Sequence, residues 1–210
     1  MTGLFLPGWG ATAGLYAAGL PDGWEALELP TFRTARGDFL MYRRWVADEL
    51  LRRQAPVALA GHSMGGALAL LAAIDHPELV EKLILVSPAG LPLTKSMRAS
   101  VVTFARQVVK GRYPLGHFRR VVARAVAAPW SGFQLARTVH QLDVRSELDR
   151  YDADRAACTV VACATDRLTP PAHCRELAAV LGAEYREVDA SDGHIWPITH
   201  PGLLAAELSR

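Results

Sequence analysis

Gly61-His62-Ser63-Met64-Gly65-Gly66 follows the apolar run Val57-Ala58-Leu59-Ala60 and opens the alanine- and leucine-rich helical pattern from Ala67 to Ala73. A G-x-S-x-G serine at a strand-to-helix turn can project its hydroxyl above a sheet edge, and Ser63 is therefore the candidate nucleophile. A hydroxyl is a weak nucleophile at neutral pH, so it needs a general base, and the base needs an orienting acid. Residues 159–164 read as a buried strand with Asp166 in the loop at its C-terminal end. Residues 184–188 alternate like a short strand, and His194 leaves it in the turn Asp192-Gly193-His194. Asp166 is the candidate acid and His194 the candidate base.

The rival groups sit in poorer contexts. His62 adjoins Ser63, but neighbouring strand residues point to opposite faces, so it is expected to pack or hydrogen-bond behind the turn. His76 and His200 precede prolines, His173 follows Pro171 on a helical pattern, and His117 and His140 lie mid-chain. Asp189 and Asp192 are too close in sequence to His194 to reach its far ring nitrogen easily. The developing oxyanion also needs donors. The backbone N–H of Met64 is one candidate, and that of Trp9, in Pro7-Gly8-Trp9-Gly10 after the apolar run Leu4-Phe5-Leu6, is the other.

These residues need a sheet to present them. Strands are expected near 3–7, 26–29, 57–62, 82–87, 158–164 and 184–188. The spacing of Phe39, Tyr42, Val46 and Leu50 predicts an amphipathic helix, and further helices are expected over 65–76, 171–181 and 201–209. Apolar strands alternating with helices imply an α/β fold, a mostly parallel sheet of about six strands covered on both faces. At 210 residues the chain can bury a sizeable core. Cys158, Cys163 and Cys174 lack metal or disulfide spacing and read as structural thiols. No metal cluster or phosphate loop is found, so no cofactor is expected. With neither a long apolar span nor a secretory leader, a cytoplasmic location is the default expectation.

The segment 91–148 interrupts this core, whose parts are 1–90 and 149–210. Over 91–150 there are eleven Lys and Arg against three acids, whereas the remainder has twelve against eighteen, so a near-neutral total conceals a basic insertion. Val101, Val102, Ala105, Val108 and Val109 form one apolar stripe. Phe118, Val121, Val122, Ala125 and Val126 form another, which predicts two amphipathic helices joined by a turn over 111–116. The stripes are expected to roof an acyl pocket, with Phe104, Val108, Phe118 and Val122 as candidate lining residues. Arg98, Arg106, Lys110, Arg112, Arg119, Arg120 and Arg124 are then expected to face outward, as a solvated face or as a surface for an acidic partner or membrane. No nucleic-acid motif accompanies the basic residues.

With these residues in place the chain resembles the α/β-hydrolase superfamily along nearly its whole length. Leu6-Pro7-Gly8-Trp9-Gly10 resembles its oxyanion loop, especially the Gly-Trp-Gly form of pimeloyl-carrier methyl esterases. Residues 77–90 resemble the following helix-loop-strand, residues 164–170 the acid-bearing loop, and Asp192-Gly193-His194 with His200-Pro201 the histidine segment. The resemblance implies a serine hydrolase with a helical cap, acting on a small-molecule carboxylic ester through an acyl-enzyme. Thioesters, a carrier-protein ester held by an acidic acyl-carrier protein, carbon–carbon bond hydrolysis and a silent ligand-binding homologue are the alternatives. Three departures stand out. Pro7 replaces a usual histidine, so bracing bonds of the oxyanion loop are expected to be missing. Glu28-Leu29-Pro30-Thr31 replaces a usual glycine-rich turn. The chain also begins almost at the oxyanion strand, as a trimmed member would, or one whose first residues are missing.

Overall fold

The computed structural model describes residues 2–110, 115–152 and 156–210, excluding the side chains of 108–110 and 115–118. Six strands form one sheet: β1 (Gly3–Leu6), β2 (Trp24–Ala26), β3 (Val57–His62), β4 (Val80–Val86), β5 (Ala157–Cys163) and β6 (Glu184–Val188). Every neighbouring pair is parallel, in the order β2-β1-β3-β4-β5-β6. The α-helices are α1 (Phe32–Ala35), α2 (Phe39–Arg53), α3 (Met64–Asp75), α4 (Met97–Lys110), α5 (Leu115–Ala127), α6 (Pro129–Gln141), α7 (Pro171–Leu181), α8 (Trp196–Thr199) and α9 (Pro201–Leu208).

The strand alternation divides the core in two. Leu4, Leu6, Leu59, Leu83, Leu85, Val160 and Ala162 pack on one face with α2, α3 and α7. Phe5, Ala60, Ile84, Val86, Val161 and Cys163 pack on the other with Trp196 and α9. Residues buried on both faces of a sheet give the near-continuous apolar strands seen in the sequence. Helix α3 is buried from Met64 to Ile74 because it lies between the sheet and α2, which explains its lack of a polar face.

Two expectations need correction. The second strand is Trp24–Ala26 rather than 26–29, because β1 is short and its parallel register pairs Gly3 with Trp24 and Phe5 with Ala26. Leu27 donates one more bond to the Phe5 carbonyl and the chain then leaves the sheet, so burial of Leu27 and Leu29 reflects loop packing. The segment between β4 and β5 holds three helices rather than two, with α6 opened by Pro129 at its first position. Residues 111–114 of the expected turn, with Arg112, lie outside the described residues.

Candidate active site

The order β2-β1-β3 reverses the winding of the sheet between β1 and β3, and open parallel sheets form their crevice at such a point, beyond the C-terminal strand ends. Ser63 stands there, between β3 and α3, at φ 55° and ψ −118°. This strained backbone persists because its surroundings fix it. A Cβ on Gly61 would fall 2.2 Å from the Gly65 carbonyl oxygen, and one on Gly65 would fall 2.1 Å from that of Leu6. Only glycine lets β3, β1 and the start of α3 approach so closely.

Asp166 follows β5 and His194 follows β6, so all three groups converge from the same sheet edge. His194 Nε2 lies 2.9 Å from Ser63 Oγ, and its Nδ1 lies 2.8 Å from Asp166 Oδ2. Asp166 and His194 are buried, and Asp189 is exposed. Asp192 reaches Ser191 and His200 instead. Burial alone would raise the Asp166 pKa, but the His194 ring and donors from His194, Leu168 and Thr169 outweigh it and hold the carboxyl below its usual range. The Leu168 and Thr169 N–H groups donate to Oδ1 at 2.7 and 3.1 Å. The Thr169 hydroxyl lies 2.9 Å from Oδ2 and 3.1 Å from the Ser87 carbonyl, tying the acid loop to the end of β4.

The loop after β1, expected to lack bracing because of Pro7, is braced by other residues. A Cβ on Gly8 would touch Ser63 Cβ at 3.4 Å, so the loop lies against the serine. The Gly8 N–H donates to the Tyr16 hydroxyl, which is 2.8 Å from His62 Nδ1, and His62 Nε2 is 2.9 Å from the His194 carbonyl. A carbonyl only accepts, so His62 Nε2 donates and Nδ1 accepts the Tyr16 proton. Complete burial and the adjacent His194 push the His62 pKa down to about 3, which keeps the ring in that neutral form. Met64 is the first residue of α3, and its N–H has no intrahelical acceptor. Among the described bonds, no acceptor takes the Trp9 N–H, while the Trp9 indole donates to the Gly132 carbonyl at 3.0 Å.

Ser63 and His194 open into a cavity of about 200 Å³, well beyond the roughly 30 Å³ share of one water, so an organic group fits. Its walls include Trp9, Met97, Phe104, Val121, Val139 and Leu168. Of the expected lining residues Phe104 is present, and Val122 points away to solvent. The side chains of Val108 and Phe118 lie outside those described. Arg124 also departs from expectation: it is half-buried, pairs with Glu28 and donates to the Ala11 carbonyl at 3.0 Å. Glu28 also accepts from the Ala13 N–H at 2.7 Å, so this residue of the replaced turn fastens α5 to the loop after β1. Arg98, Arg106, Arg119 and Arg120 are exposed, as expected, and nothing is described of the Lys110 side chain.

The sequence profile of the alpha/beta hydrolase family matches residues 4–207. The mouse (Mus musculus) protein "(Lyso)-N-acylphosphatidylethanolamine lipase" is 38% identical over 72 residues, 34% of this chain and 21% of the mouse protein. The chain thus spans about a fifth of that relative's length. Among solved structures, Est816, described as an N-acyl homoserine lactone degrading enzyme, superposes with a TM-score of 0.78 at 18% identity, covering 100% of this chain and 92% of that one. A bacterial membrane phospholipase A gives 0.75 at 22% identity, covering 99% and 77%. Among the described residues no helix is long and apolar enough to cross a membrane.

Proposed function

Because the chain belongs to the alpha/beta hydrolase family, we propose that it is a serine hydrolase that cleaves carboxylic esters through an acyl-enzyme. The observation that carries this reading is the unbroken chain from Ser63 Oγ through His194 to Asp166, opening into an apolar cavity. His194 Nε2 takes the Ser63 proton as Oγ attacks the ester carbonyl, and the same proton then passes to the departing alcohol. The backbone N–H groups of Trp9 and Met64 stabilise the negative charge on the carbonyl oxygen. Asp166 holds the His194 tautomer and stabilises the imidazolium. His62, kept neutral, spares that imidazolium a second positive ring whose centroid is 4.7 Å away. Water activated by His194 releases the acid.

Residues 91–148 act as the cap, with the inner faces of α4, α5 and α6 receiving the apolar part of the substrate. Turnover of p-nitrophenyl esters of increasing acyl length by the wild type and Ser63→Ala tests the reading. Hydrolysis by the wild type, with the serine variant slower by three or more orders of magnitude, is expected. Equal rates would refute it. A parallel thioester series reads which leaving group the site prefers.

A further inference from the structure

The valine stripes of the insertion do not all turn inward. On α4 the cavity takes Met97, Ser100, Val101 and Phe104, yet Val101 is 54% exposed and so stands at the rim. On α5, Val121 faces the cavity, whereas Val122 and Val126 are 41% and 72% exposed. On α6, Trp130 and Phe133 are 69% and 45% exposed, with their ring centroids 5.9 Å apart.

These outer residues have an order. Arg119, Val122 and Val126 recur at helical spacing along α5, and Trp130, Phe133 and Arg137 do the same along α6. In sequence the apolar members flank the joint of the two helices around Ala128, and an exposed arginine closes each stripe at its far end. Among the described residues neither Arg119 nor Arg137 forms an ion pair. The sequence holds no Asp or Glu at all between Glu81 and Asp143, so no carboxylate within the insertion's helices opposes this field.

We propose that the outer face of α5 and α6 docks on an anionic lipid surface. Trp130, Phe133, Val122 and Val126 enter the interfacial layer, and Arg119 and Arg137 meet the negative headgroups. An exposed tryptophan beside a phenylalanine suits a boundary where one side is apolar and the other wet. The charge matches such a surface, and the patch needs no shaped partner to cover it. Helices α5 and α6 also contribute Val121, Ala136 and Val139 to the cavity wall, so the docking elements are the same ones that wall the cavity. The inference goes beyond the hydrolytic reading and requires no turnover.

Vesicle co-sedimentation tests it with the full chain, using phosphatidylglycerol mixed with phosphatidylcholine against phosphatidylcholine alone. Binding to the anionic vesicles, weakened by salt, with a blue shift of tryptophan emission, is expected. Arg119→Gln with Arg137→Gln should weaken that binding roughly thirtyfold, since each basic residue near such a surface contributes about 1 kcal/mol. Trp130→Ser with Phe133→Ser should weaken it as well and remove the blue shift, while hydrolysis of a soluble ester stays at the wild-type rate. Ser63→Ala should bind like the wild type, which separates failure of docking from failure of the hydrolase assignment. Equal affinity for both vesicle types, no binding to either, or capture by an acidic acyl-carrier protein with none by vesicles would overturn the proposal.

Discussion

The Tyr16 hydroxyl, 2.8 Å from His62 Nδ1, connects the loop that lies against Ser63 to the backbone that holds His194. One phenol thereby joins two parts of the site that enter from opposite sides of the nucleophile: Gly8 donates to it, and His62 passes the link on to the His194 carbonyl. Tyr16 and His62 are both buried, so the network has no ready replacement by solvent.

Tyr16→Phe keeps the ring and its packing on Phe5 but leaves the Gly8 N–H and His62 Nδ1 without the hydroxyl. A loss of about 1–3 kcal/mol is expected from the urea midpoint. Turnover should fall by about tenfold while KM changes little, because the oxyanion donors proposed for this loop would act in the transition state. Wild-type turnover would mean that the loop holds its shape without this link.

The neutral state of His62 sets a pH dependence of stability. Its folded pKa of about 3 lies below the ordinary value of 6.5, so between these values the unfolded chain takes up a proton that the native state refuses. Stability therefore falls as pH drops through that window, by about 1 kcal/mol per unit. The lowered Asp166 pKa acts in the same direction at the acid end. His62→Gln can still donate to the His194 carbonyl but has no such proton to gain. Its unfolding free energy should show a shallower slope between pH 6 and pH 4, approximately, than that of the wild type.

Asp166→Asn should cost about four orders of magnitude in turnover, because an amide neither fixes the His194 tautomer nor stabilises its cation. Asp189→Asn and Asp192→Asn should change it by less than about threefold, lying outside that hydrogen-bond chain. Steady-state kinetics of the three variants on one soluble ester would expose a reversed ranking.

Much of this site was legible in sequence because each group follows a recognisable strand. Ser63, Asp166 and His194 all lie just beyond strand C-termini, and the apolar runs before them are pronounced. Tyr16 and Thr169 were not legible, since each acts through contacts with residues distant in sequence or through a hydroxyl that many turns contain. A buried tyrosine needs a partner for its hydroxyl, but nothing local to Tyr16 indicates that the partner is His62. Arg124 departs from its expected outward position because Glu28 reaches it from the other side of the fold, and nothing local to a basic helix signals that partner. The valine stripes of α4 and α5 gave the helices correctly. Their period does not say which half of a broad apolar face finds a core, and Val122 and Val126 find none.

The claim at the centre of this account is that Ser63 is the activated nucleophile, and covalent capture tests it most directly. A fluorophosphonate probe reacts with a serine whose proton a neighbouring base removes and whose oxyanion is stabilised. Peptide mass spectrometry of the labelled wild type should find the phosphonyl group on Ser63, with labelling lost in Ser63→Ala and strongly slowed in Asp166→Asn. Labelling at another serine, or a wild-type protein that does not react while binding ligands in its cavity, would contradict the account.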